Sequence, residues 1–177
     1  MNKKNKISQA MKEYISEALL LILQNKEFHL ITIGEITKRA GVNRSTYYRN
    51  FNSKEDIIKF YYSQILQCCI TDKNDKNMEE HLINIFQQFM MHKENLLCLH
   101  RNNLSYLLLE ALNVFFTGRI FSSNTTDIRD MVEIYYHTGG IFNTFLLWFD
   151  SNMSIEPSRL AKETITILPN DFKPMLQ

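Results

Sequence analysis

The 177 residues are 45% hydrophobic and 12% aromatic with only five Gly and three Pro, which excludes a disordered or loop-dominated chain and leaves ample material for a core. Charge is segregated: residues 1–60 carry eleven Lys or Arg against six Asp or Glu, and the remainder nine against thirteen, so affinity for a polyanion belongs to the first third. The odd set Cys68, Cys69 and Cys98 excludes a conventional disulfide framework, and no apolar run approaches the roughly 18 residues that cross a bilayer, so we expect a soluble cytoplasmic protein with no membrane partner.

In chain order, apolar residues at Ile7, Met11, Tyr14, Ile15, Ala18, Leu19 and Ile22 predict a first helix over 7–25. Thr32, three residues before Glu35, has the spacing of a capping box and opens a short second helix with Ile33, Ile36 and Ala40 inward. Gly41 stands where a left-handed residue would end it, and Asn43 is a good N-cap for a third helix over 44–50. Ser53 to Asp56 repeats the cap logic and starts a long fourth helix. The polar run 72–77 reads as a surface loop, followed by helices over 78–91, 95–101 and 104–121, a break at 122–126, a long helix over 127–150 and a last one from Pro157 to about 168. The predicted fold is all-α with about nine helices: a helix-turn-helix head over 1–52, a connecting helix over 53–71, and a helical effector-binding and dimerisation body over 72–177.

Two short helices joined by a Gly turn, the second opening with small polar and basic residues, suit the major groove of double-stranded DNA. The N-terminal end of that second helix meets base edges, which makes Arg44, Ser45 and Thr46 candidate readers, with Tyr48 and Arg49 one turn on. Thr32 and Lys54, each at a helix start, are candidate phosphate anchors. Ile36, Ala40, Val42, Tyr47 and Phe51 are spaced to form the small core beneath them.

The string Ile31-Thr32, Glu35-Ile36, Ala40-Gly41-Val42, Ser45-Thr46-Tyr47-Tyr48-Arg49, Phe51, Ser53-Lys54-Glu55 and Ile57 resembles the N-terminal signature of the TetR family of bacterial transcriptional regulators. The resemblance covers about a third of the chain. It implies that the positions of Thr46, Tyr48, Arg49 and Lys54 touch bases or phosphates, and it implies a repressor before an activator. Asn50 departs from the pattern, in which a His precedes the Phe. Gly139-Gly140, Trp148, Pro157 and Ala161 are similar to the C-terminal pattern of the dihydroxyacetone kinase regulator subgroup, which implies an activator, or a protein that works through a protein partner.

The wide apolar faces of the last two long helices suggest a homodimer, and hence a near-palindromic operator. Phe86, Phe89, Met90, Phe115, Phe116, Tyr135 and Phe142 are candidates to line an apolar pocket for a small effector, with a protein effector as the alternative. His92, Cys98 and His100 fit no usual zinc spacing, so no metal and no cofactor is expected. No nucleophile triad, P-loop or dinucleotide fingerprint is present, so the chain reads as a binding protein and not an enzyme. A protein-interaction adaptor with auxiliary DNA binding is the competing class.

Overall fold

The computed structural model describes residues 3–69, 78–120 and 127–168. The head consists of α1 (Lys3–Leu23), a 3-10 turn (Phe28–Leu30), α2 (Ile33–Ala40) and α3 (Arg44–Asn50). The rest comprises α4 (Lys54–Cys68), α5 (Met78–Met91), α6 (Lys93–Arg101), α7 (Tyr106–Ile120), α8 (Ile128–Asp150) and α9 (Pro157–Ile167). No strand occurs among the described residues. The expected loop at 72–77, the break at 122–126 and the tail from Pro169 lie outside them.

The short helices of the head form because their ends are satisfied locally. Thr32 Oγ1 accepts from the Glu35 amide, and the Glu35 carboxylate accepts from the Thr32 amide, closing the expected capping box. Ser53 and Asp56 do the same for α4. Gly41 ends α2 with φ at 67°, a left-handed conformation that glycine adopts without steric cost, and the Val42 amide then donates to Thr37 O at 3.0 Å.

Helix α1 covers the head and starts earlier than its apolar pattern, at Lys3, since Lys and Asn carry no periodic signal. Its buried face runs through Ile15, Ala18, Leu19 and Leu23, while Ile7 and Tyr14, expected inward, are exposed. The face is set by what α1 packs on, namely α2, α3 and α4. Helix α4 also packs on α7, where Lys59 bridges Asp56 at 3.0 Å and Glu110 at 3.3 Å, so one helix serves both the head and the body.

In the body α5 packs on α9, α7 on α8, and α6 on both α1 and α8. The centre is aromatic: Phe89 lies over Phe145 with centroids 4.4 Å apart, and Phe86 meets Trp148 edge-on at 5.4 Å. Two starts differ from expectation by two residues, α6 beginning at Lys93 and α7 at Tyr106. The delay in α7 has a local cause. Asn103 is left-handed (φ 58°) and the Leu104 amide turns back to Leu99 O at 3.0 Å, closing the end of α6.

Candidate nucleic-acid interface

Asn43 organises the start of α3. Its Oδ1 accepts from the Thr46 amide at 2.8 Å, from Ser45 Oγ at 2.7 Å and from Thr46 Oγ1 at 2.8 Å. One carbonyl thereby caps the helix and aligns the two hydroxyls proposed to meet base edges. One turn on, Arg49 lies back along the helix, with Nε donating to Ser45 O and Nη2 to Ser45 Oγ, both at 3.2 Å. Arg44, Ser45, Tyr48 and Arg49 are exposed and Thr46 is half-buried, so all five candidate readers lie along one short helix with four of them at its surface. Beneath them Tyr47 is fully buried and meets Tyr48 edge-on at 5.2 Å, and Phe51 and Ile36 complete the small core.

Arg44 occupies space that a glycine leaves open. A β-carbon at Gly34 would stand 3.1 Å from Arg44 Nη2 and 3.8 Å from Thr32 Oγ1, so the guanidinium folds over the first turn of α2. Thr32 itself is exposed, as an anchor requires. The remaining candidate, Lys54, is placed differently from expectation: its ammonium donates to Phe28 O at 2.8 Å and Ile31 O at 2.7 Å and lies 4.6 Å from the Phe28 ring centre. These acceptors lie 26 and 23 residues away along the chain, beyond any local pattern.

Asn50 also turns inward. Its Nδ2 donates to Thr46 O at 2.7 Å and its Oδ1 accepts from Ser8 Oγ at 2.9 Å, tying the end of α3 to α1. On the other side, Lys26 donates to the Glu35 carboxylate at 2.6 Å. That bond, with those from the Thr32 amide and hydroxyl, lowers the Glu35 pKa from its ordinary 4.5 to about 2. A depressed carboxylate pKa contributes stability that is complete above the ordinary value and lost as pH falls toward the folded one. We therefore expect Glu35 to stay ionised through the pH range 4 to 3, in which free carboxylates protonate. A carboxyl-carbon NMR titration of Glu35 checks this, and an ordinary midpoint near 4.5 would refute it.

Comparison with known proteins bears on the same segment. Residues 17–59 match the sequence profile of the family described as bacterial regulatory proteins, tetR family. That span covers the latter part of α1, both helices of the helix-turn-helix and the start of α4. The helix-turn-helix head therefore carries a segment similar to the DNA-binding part of that family. Two solved structures share the fold along nearly its whole length. A TetR transcriptional regulator from Streptococcus agalactiae 2603V superposes with a TM-score of 0.60 at 21% identity, over 93% of this chain and 96% of that one. The dihydroxyacetone kinase operon activator DhaS does so with a TM-score of 0.57 at 14% identity, over 89% and 93%. No curated protein matches the sequence at a significant level.

Among the described residues, the space where the aromatic spacing predicts an effector pocket is small. Phe86, Phe115 and Phe116 line a cavity with Leu66, Cys69 and Phe145, but its open space is about 20 Å³, room for about one water. Phe89 is spent on its stack with Phe145, and Met90 and Phe142 are half-buried and pack against the core. Tyr135 is 49% exposed. The seven aromatic and Met positions follow helical spacing, but spacing does not say which of them share an interior wall.

His92, Cys98 and His100 have separate partners. His92 Nδ1 is 3.0 Å from Tyr61 Oη, Cys98 Sγ donates to Leu23 O, and His100 bridges Ser105 Oγ and Asp150 Oδ1. Burial pushes the Cys69 thiol up to about 12, with its neighbour Cys68 adding to the shift, so Cys69 has no accessible thiolate near neutral pH. Among the described residues no helix is long and apolar enough to cross a membrane.

Proposed function

We propose that the protein binds a near-palindromic operator as a homodimer and regulates transcription in the cytoplasm. The observation that carries the proposal is the exposed reading face of α3, organised by Asn43 and backed by a buried Tyr47 and Phe51. Arg44 and Arg49 are long enough to grip guanine bidentately, Thr46 suits a thymine methyl, and Tyr48 adds an exposed aromatic edge. Thr32 is exposed at the start of α2, and because its amide and hydroxyl both donate to the Glu35 carboxylate, it would meet a phosphate only by exchanging that partner.

The dimer rests on α8 and α9. Helix α8 buries Ile134, Ile141, Phe145 and Trp148 inward and at the same time exposes Ile128, Val132, Tyr136 and Leu147, the first three at a spacing of four residues. Beside the last of these a groove of about 780 Å³ runs between α8 and α9, with Leu160 and Ile167 on its far wall. A helix apolar on two faces has a second packing partner, and α8 of another copy fits an isologous seam. Two heads on one two-fold axis would meet half-sites one helical turn, about 34–36 Å, or a multiple apart. The small size of the aromatic cavity among the described residues favours regulation through a protein partner or through an effector that first opens the core, over a preformed apolar pocket.

Selection from a random duplex library by the full-length protein tests the reading. An inverted repeat should emerge, and the selected duplex should outcompete scrambled DNA in a mobility shift at moderate salt. Binding no stronger than to random DNA would remove sequence-specific regulation. Arg44→Ala should relax discrimination at one position of each half-site by ~1–3 kcal/mol. A uniform loss across all sequences would instead make Arg44 a phosphate ligand.

A further inference from the structure

We infer that Lys54 is a positioning residue, an internal bracket that holds the entry to α2 in place from the first turn of α4, and not one of the cations that DNA phosphates meet. This role presupposes the DNA binding proposed for the head. It starts from the donor inventory of an ammonium, which has three N–H groups. Two of them are taken by backbone carbonyls of the same connection, Phe28 O at 2.8 Å and Ile31 O at 2.7 Å. The Phe28 ring covers a further side at 4.6 Å from its centre. At most one N–H is then left for a phosphate while the group keeps both carbonyls.

What the bracket holds is the residue before the N-cap. Ile31 is buried at 2% exposure and leads directly into Thr32, whose amide and hydroxyl form the capping box and whose exposed position makes it the candidate anchor. On its other side, Lys54 is the first residue of α4, which continues into the body and is tied to α7 through Lys59 and Glu110 at 3.3 Å. A displacement of α4 is therefore passed to the start of α2 by two short hydrogen bonds. Sufficient positive charge for the phosphates remains elsewhere on the head, since Lys38, Arg39, Arg44 and Arg49 are all exposed.

The test compares wild type with Lys54→Met, which keeps the length of the stem, and with Lys54→Gln, a neutral residue that can still donate. Two measurements are made on the full chain: the slope of log affinity against log salt for a short mixed-sequence duplex, and amide hydrogen exchange over residues 28–36 without DNA. We expect Lys54→Met to weaken binding severalfold with an unchanged salt slope and to lose protection over 28–36, and Lys54→Gln to recover part of that protection at the same slope. If Lys54 instead neutralised a phosphate, the slope would be lower by about 0.9 per phosphate, equally in both variants. That result, or unaltered protection over 28–36, overturns the bracket. If wild type fails to bind the duplex, the DNA-reading function falls, and the exchange data decide the bracket alone.

Discussion

Trp148→Ala is expected to destabilise the body by ~3–5 kcal/mol, the range found when a large buried aromatic is truncated. The ring is fully buried, meets Phe86 edge-on at 5.4 Å and Phe145 at 6.5 Å, and its Nε1 donates to Ile155 O at 2.8 Å. Truncation removes the apolar area and leaves a cavity between α5 and α8. It also strands the Ile155 carbonyl in the turn between α8 and α9, where Asn152 and Met153 are already held left-handed at φ 56° and 51°. Neither residue is glycine, so the turn depends on its anchors, the Met153 amide on Trp148 O at 2.8 Å among them. Because this is the single tryptophan of the chain, circular dichroism during urea unfolding is the suitable probe. A loss under about 1 kcal/mol would mean that the centre of the body packs differently.

Gly140→Leu is expected to separate the proposed dimer while slightly favouring the isolated subunit. Gly139 and Gly140 sit side by side in the middle of a 23-residue helix, where each costs roughly 0.8–1 kcal/mol relative to Ala. Nothing in the subunit requires them, since a β-carbon at either position meets no atom within 4 Å. Both line the groove between α8 and α9, together with exposed Tyr136 and Leu147. Under the proposed isologous seam, the pair is where the partner's α8 comes nearest, and a leucine there would hold the helices apart. Sedimentation should then report a monomer of normal helix content. Affinity for a two-half-site duplex should fall by about 10²–10⁴, the gain that a second linked head provides. A stable Gly140→Leu dimer would exclude α8 as the seam at this position.

Much of the head is legible residue by residue because its determinants are short-range. The Thr32–Glu35 and Ser53–Asp56 boxes, the Gly41 stop and the Asn43 cap each act within three or four residues, so spacing alone predicts them. The added role of Asn43, gathering the Ser45 and Thr46 hydroxyls, is within reach of the same argument, since both lie within three residues of it. Helix α8 is legible as a helix but not as a surface. It is apolar on most sides, and periodicity cannot rank faces that are all apolar. The same ambiguity puts Tyr135 in a pocket wall and Ile7 and Tyr14 on the inner face of α1, whereas all three are exposed.

By itself the sequence determined that the chain is all-α, where the short helices of the head begin and end, and that a short polar, basic helix carries Arg44, Ser45, Thr46, Tyr48 and Arg49. Those features follow from backbone caps and side-chain chemistry acting along one stretch of chain. Only the tertiary structure decided that Lys54 is bound to Phe28 O and Ile31 O, that Asn50 is tied to Ser8, and that the aromatic centre closes to a space of about 20 Å³. Each depends on groups distant in sequence competing for the same donors and the same volume, and that competition is resolved only once the helices are packed.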